Sequence, residues 1–250
     1  MFRLLLILAM LGVTTPAYAR VQQHRHKHAT THVRVPKKSA GPADRGYTPQ
    51  PAQLIEKSNS LGSTPTAPVL LRIFKEEQDL EIWRMNQDGL YMLLETYSVC
   101  KYAGELGPKK REGDHQSPEG FYGMTTNSLN YNSVRWLSIN TGYPNQYDKA
   151  HHRTGSAIMI HGGCGSNGCF AIQNGPVQEL FTTVRDSLRA GQDKIQIHIF
   201  PFRMTEENMI KHADNPNYEF WKELKPGYDK FEENRQDLQV TVVSGKYQIN

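Results

Sequence analysis

The chain of 250 residues has room for one full domain with tails and would be cramped as two large domains. With 38% hydrophobic and 10% aromatic residues it can bury a core and is not globally disordered, and a net charge of +4 is too small to indicate nucleic-acid binding. The one long apolar run lies at the extreme N-terminus, which excludes a multi-spanning membrane protein.

Residues 1–19 read as a secretion signal: Arg3 supplies the positive start, Leu4 to Val13 an apolar run too short to span a bilayer, and Ala17-Tyr18-Ala19 a cleavage site ahead of Arg20. Cleavage leaves an exported protein without a transmembrane segment, in a compartment that permits disulfides. Residues 20–66 are expected to be a basic, disordered linker. They hold Pro36, Pro42, Pro49, Pro51 and Pro65 and few large apolar residues, so ordering them gains little burial. Arg20, Arg25, Lys27, Arg34, Lys37, Lys38, Arg45 and Lys57 outnumber Asp44 and Glu56 there, a balance that draws a tail toward anionic lipids or wall polymers. His24, His26, His28 and His32 could hold a metal loosely, but the simpler reading is a solvated spacer.

The folded part, residues 67–250, begins with Pro68 to Phe74 as a strand, then Leu80 to Met85 and Gly89 to Leu94 as a hairpin about the turn Asn86–Gly89. Glu95 to Tyr102 is read as continuing that sheet. Ala157 to Ile160, Ile195 to Phe200, Val240 to Val243 and Tyr247 to Ile249 are further runs of strand length. One helix is clear: Pro176 to Ala190 carries Val177, Leu180, Phe181, Val184 and Leu188 at helical spacing, closed by Gly191. Shorter helices are expected after Thr205 and over Asn217 to Leu224. The expected fold is mainly β of the α+β kind, with a partly helical C-terminal section.

The chemistry concentrates in Ile158 to Ile172, where an apolar strand runs into a Gly-rich loop with His161, Cys164, Ser166 and Cys169. A thiolate is the nucleophilic form of cysteine, and a nearby histidine can accept its proton. Backbone freed by Gly162, Gly163, Gly165 and Gly168 can turn N–H groups toward an anion. Three other readings compete: zinc held by His161, Cys164 and Cys169 with His151 or His152; a structural disulfide within the loop; and a redox pair, although no C-x-x-C is present.

His161-Gly162 followed by Ser166-Asn167-Gly168-Cys169 resembles the signature of the L,D-transpeptidase catalytic domain family, the YkuD type. A second stretch, Gly113 to Tyr122, looks like that family's G-D-x-x-T/S-P-x-G-x-F/Y turn. Leu106 to Gly113 and Phe200 to Thr205 resemble its YafK-like branch. The sequence departs from the wider pattern at Asn167, where a His is usual, and at Ala171, where an Arg is usual.

The resemblance implies two packed mixed β-sheets with the nucleophile on a loop between them. It implies Cys169 as nucleophile, His161 as general base, and the backbone N–H groups of Gly168 and Cys169 as the oxyanion donors. Ser166 and Tyr122 are candidates for substrate contact, and Arg203 for the carboxylate contact left open by Ala171. Lys109, Lys110 and Arg111 read as a solvated basic run, and Asn145 to Thr154 as a polar loop that could cover the cleft. With Cys169 required as a thiol, Cys100 and Cys164 remain as a candidate disulfide. The implied activity is exported cysteine acyl transfer on peptidoglycan stem peptides, without metal or cofactor, in the periplasm or cell envelope. Two alternatives stay open: a hydrolase of diaminopimelate-linked bonds, including those holding wall-linked protein, and a non-catalytic wall-binding module.

Overall fold

The computed structural model describes residues 42–250. The signal-peptide reading of residues 1–19 and the histidines of the tail lie outside the described residues. In chain order come α1 (Pro42–Arg45), α2 (Ala52–Ser60), β1 (Val69–Phe74), β2 (Asp79–Met85), β3 (Tyr91–Ser98), β4 (Gly120–Met124), β5 (Leu129–Asn130) and β6 (Ser138–Asn140). Then follow α3 (Gln146–Ala150), β7 (Met159–Gly162), β8 (Phe170–Ile172), α4 (Asn174–Arg189), β9 (Ile195–Phe200), α5 (Glu206–Lys211), α6 (Tyr218–Asn234), β10 (Val240–Val243) and β11 (Lys246–Ile249). No helix among the described residues is long and apolar enough to cross a membrane.

Two mixed sheets carry the fold. The larger has the order β3-β2-β1-β9-β4, with β1 and β9 parallel and the other neighbours antiparallel. The smaller has the order β5-β6-β7-β8, with only β7 and β8 parallel. This is the α+β class that the strand and helix runs predict, with the two mixed sheets that the family resemblance implies.

Burial explains why β1 lacks polar alternation. All six of its residues are buried. Val69, Leu71 and Ile73 join a core with Ile160, Phe170 and the α4 residues Leu180 and Phe181. Leu70 and Phe74 face the other way, into a second core with Trp221, Leu224 and Phe231 of α6. A strand covered on both faces reads as a continuous apolar run. Arg72, the exception, is fully buried among the Phe74 and Phe231 rings and pairs with Glu232.

Two sequence expectations change. Residues 42–66, taken as part of a disordered linker, are folded onto the domain: Leu54 is buried, and Arg185 of α4 donates to the carbonyls of Gly46 and Thr48. The burial comes from one helix face and a set of backbone acceptors, which leave little compositional trace. The second long helix, α6, runs 17 residues through Pro226, well past Leu224. Proline removes one helical hydrogen bond. Trp221, Leu224, Tyr228 and Phe231 still fall on one buried face, and packing on both sides of the proline outweighs that loss.

Candidate active site

Strand register builds the site. In the smaller sheet His161 of β7 lies opposite Ser138 of β6 on one side and Ala171 of β8 on the other. Paired residues point to the same face, as do residues two apart on a strand. Cys169 lies immediately before β8, at the end of the loop from β7, and lines the same cleft as His161. Ile160 and Phe170 alternate to the opposite face and are buried in the core that includes α4. Small Ser138 and Ala171 leave room around the imidazole, and both are buried.

His161 is 5% exposed. Its Nδ1 lies 2.9 Å from the carbonyl oxygen of Gly162. A carbonyl only accepts, so Nδ1 carries the proton and Nε2 keeps its lone pair. Burial pushes the His161 pKa below the usual histidine value. The Gly162 contact opposes that shift, and the positive charge of Arg135 adds to it. The ring is therefore neutral near pH 7 and able to accept a proton.

Cys169 is the only free cysteine among the described residues and is partly exposed. The Met159 N–H donates to its Sγ at 3.3 Å. Ser166 ties the loop together: its hydroxyl donates to the Cys169 carbonyl at 2.5 Å and accepts from the Gly168 N–H at 3.3 Å. One of the two expected oxyanion donors is thus held by Ser166 in this structure.

Gly168 has φ +143°, a backbone region that favours glycine. Gly162 is required for space, since a Cβ there would lie 2.8 Å from the Arg135 carbonyl oxygen.

The Gly113 to Tyr122 motif serves as a support for this loop. The buried Ser117 hydroxyl donates to the Gly168 carbonyl at 3.0 Å and accepts from the Ala103 N–H. Behind it, fully buried Lys75 donates to the carbonyls of Glu105, Gly107 and Ser117 and pairs with Glu119 at 2.9 Å. Glu119 in turn accepts from the Trp221 indole of α6. Asp114 accepts the Lys110, Arg111 and Gln116 backbone N–H groups and pairs with Lys109. The basic run is thereby partly consumed by its own turn.

Cys100 and Cys164, the candidate pair of the sequence reading, form a disulfide. It fastens the chain after β3 to the loop that carries Cys169, and the Cys100 N–H donates to the Ala171 carbonyl. The zinc reading and the intra-loop disulfide both need Cys164 and are overturned by this bond. His151 is turned elsewhere, stacked on Tyr147 and bonded to the Gly245 carbonyl. No three His, Cys, Asp or Glu side chains are grouped to hold a metal among the described residues.

His161, Cys169, Ser166 and the backbone of Gly168 all line one cleft of about 560 Å³. Two other candidates do not. Tyr122 is buried in β4, where its hydroxyl donates to Asp148 at 3.0 Å. Arg203 pairs with Asp79 and Glu81 and lies over the Phe74 ring, at the end of the larger sheet. Asn145 to Thr154 does not line the cleft either; the following Gly155 to Met159 does. Arg135, Ser138 and Ser117 complete the surroundings without having been singled out in the sequence. They are isolated polar residues in unremarkable contexts, and only strand register and loop path bring them here.

Comparison with known proteins agrees with this layout. Residues 69–199, from β1 to β9, match the family described as the L,D-transpeptidase catalytic domain, YkuD. The chain is 46% identical over 184 residues, 74% of each chain, to the Escherichia coli (strain K12) protein named "Putative L,D-transpeptidase YafK". Among solved structures, the helical cell shape determining protein Pgp2 from Campylobacter jejuni is similar at 17% identity and a TM-score of 0.42, over 80% of this chain and 82% of that one. Bdellovibrio bacteriovorus Bd1075 is similar at 20% identity and a TM-score of 0.38, over 72% and 75%. The family match and the 46% identity together show that the chain belongs to the L,D-transpeptidase catalytic domain family.

Proposed function

We propose that the protein is an exported cysteine acyltransferase acting on peptidoglycan stem peptides, with Cys169 as nucleophile and His161 as general base. The observation that carries this reading is that His161 and Cys169 line one cleft, with the imidazole neutral and its Nε2 unprotonated. The Cys169 proton passes to Nε2, and the thiolate adds to the carbonyl of a bond joining an L-centre to a D-centre. The Cys169 N–H and, once released from Ser166, the Gly168 N–H stabilise the oxyanion. The C–N bond breaks, the leaving amine takes the proton from His161, and a thioester remains. An amine acceptor then forms a new amide and restores the thiol.

Water in place of the amine would release a carboxylic acid, which makes hydrolysis of diaminopimelate-linked bonds the second reading. Ala171 favours it, because the arginine usual at that position in the family is replaced. The wall-binding alternative is disfavoured by a free, partly exposed Cys169 lining a cleft.

The test is incubation with defined tetrapeptide muropeptides and with muropeptides carrying a lysine-linked peptide, followed by mass spectrometry. Crosslinked dimers that vanish in Cys169→Ala establish transfer. Loss of the linked peptide without dimers establishes the hydrolase. Products that persist in Cys169→Ala refute the nucleophile.

A further inference from the structure

One wall of the cleft is a loop with few fastenings of its own. The connection from β5 to β6 contributes Asn132, Ser133, Val134 and Arg135 to the lining, and Val134 is 98% exposed. Its side-chain hydrogen bonds are local: Asn130 Oδ1 accepts the Asn132 N–H and Ser133 Oγ the Arg135 N–H. The two aromatic residues that bracket this run, Tyr131 and Trp136, are half-buried and stand outside the lining. Both meet residues 45–48. The Tyr47 ring stacks on Tyr131 with 4.9 Å between centroids, and the Arg45 guanidinium lies 3.5 Å from the centre of the Trp136 ring. Gly46 between them has no room for a side chain, since a Cβ would stand 2.4 Å from the Tyr131 ring. α4 completes the junction. Gln178 accepts from the Trp136 indole at 3.3 Å and donates to the Thr48 hydroxyl at 3.0 Å, while Arg185 donates to the Gly46 and Thr48 carbonyls. The connection also reaches the strand of the general base: the Leu137 carbonyl accepts the Gly162 N–H.

We infer that residues 45–48 are a strap in which Arg45 and Tyr47 act as positioning residues, setting the cleft wall against His161 and Cys169 without touching substrate. This rests on the proposed role of those two residues. A loop that lines a site costs affinity whenever binding must first order it, so its place has to be fixed from outside the site. Here the fixing points are Tyr131 and Trp136, one at each end of the lining run, and the strap supplies an aromatic stack at one and a guanidinium over the indole at the other. The reacting groups are held separately, His161 by the Gly162 carbonyl and Cys169 by the Met159 N–H. Truncating Arg45 or Tyr47 therefore releases the wall and leaves the contacts of His161 and Cys169 in place. The loss falls on capture of the ligand and spares the thiol chemistry.

The test compares the full wild-type chain with Arg45→Ala, Tyr47→Ala and the double variant, using a carbapenem as the probe. Acylation of Cys169 is followed by intact mass over a range of carbapenem concentrations, which separates the half-saturating concentration from the maximal rate. The double variant should raise the half-saturating concentration about tenfold, since a ring stack and a cation–ring contact together are worth roughly that factor. The maximal rate, and the alkylation of Cys169 by iodoacetamide, should stay within about twofold. Amide hydrogen exchange over residues 131–136 should quicken by about the same tenfold while β1 and β9 stay protected. Tyr47→Phe keeps the stack and should behave as wild type, and Arg45→Lys should recover part of what Arg45→Ala loses. An unchanged half-saturating concentration overturns the inference, as does unchanged exchange over residues 131–136. Equal losses in maximal rate and alkylation, as a general loosening of the site would give, overturn it too. A wild-type Cys169 that iodoacetamide alkylates and the carbapenem does not acylate refutes the site reading beneath it, and the inference falls with it.

Discussion

His161 and Ser117 give the residue-scale expectations. In the proposed mechanism the imidazole must be neutral to accept the Cys169 proton, and burial with the Arg135 charge lowers its pKa from the usual value near 6.5. The base therefore stays competent at pH 6.5 and is lost only as pH falls through the lowered value. The acylation rate with a carbapenem, followed by intact mass across pH 4.5–7.5, should hold its plateau to below about 6.5. His161→Asn should be slow throughout, with no acid limb attributable to the ring. An acid midpoint at or above 6.5 would contradict the buried neutral imidazole. Ser117 has no chemistry of its own in this scheme. It holds the Gly168 carbonyl and the Ala103 N–H, both in buried surroundings. Ser117→Ala leaves both unpaired, which should cost about 1–3 kcal/mol of stability in a denaturant titration. It should also slow acylation, because the residue before Cys169 loses its anchor. His161 and Cys169 were legible in the sequence because their spacing within a Gly-rich loop is itself the signal. Ser138 was not, since only its pairing with β7 brings it beside His161, and Arg203, the candidate for a carboxylate contact, pairs with Asp79 and Glu81 outside the cleft.

Among the elements, those with a periodic apolar signal emerged from the sequence with nearly the right bounds. Ile195–Phe200 is one, and α4 begins only two residues before the expected Pro176, which sits in the first turn where no helical N–H is needed. Elements defined by long-range pairing did not. β4 begins inside the stretch read as a turn, Gly113 to Tyr122, and runs on to Met124, and β6 has only three residues, Ser138–Asn140, whose strand identity comes from pairing with β7. These short pieces matter for the site because β6 puts Ser138 beside His161. The loop after β7 owes its position to a covalent tie instead. The Cys100–Cys164 bond spans 64 residues, and closing such a loop restricts the unfolded chain by about 4 kcal/mol. The double variant Cys100→Ala/Cys164→Ala should melt roughly 10 °C lower. Denatured, non-reduced wild-type protein should show a single reactive thiol, and three would rule out the bond. Acylation should slow more than stability alone explains, since Gly163 to Gly168 lose their fastening while the fold at 25 °C persists.

At the scale of the whole molecule, both faces of the larger sheet are covered, one by the core shared with the smaller sheet and α4, the other by α6. Composition predicted a core of this extent but placed its N-terminal edge near residue 67. The described chain before that point is integral to the fold. Arg185, buried in α4, donates to the Gly46 and Thr48 carbonyls, and Gln50 bridges Asp186 and the Pro65 carbonyl. Arg84, also fully buried, donates to the Thr64 carbonyl, and Tyr47 stacks on Tyr131, which meets Phe181 edge-on. Leu54 adds one fully covered apolar side chain. A protein beginning at residue 67 would leave the Arg185 and Arg84 guanidinium groups short of acceptors while still partly enclosed. It would also uncover the edge of the Phe181 ring beside Gly46. Lost burial of about 2 kcal/mol for the leucine, plus 1–3 kcal/mol for each orphaned buried donor, gives a deficit on the order of 5 kcal/mol. That is a large part of the stability of a domain this size. A protein beginning at residue 42 should unfold cooperatively at nearly the full-length midpoint in urea. One beginning at residue 67 should unfold at a far lower midpoint or aggregate on expression, and equal midpoints for the two would show that residues 42–66 are dispensable to the fold.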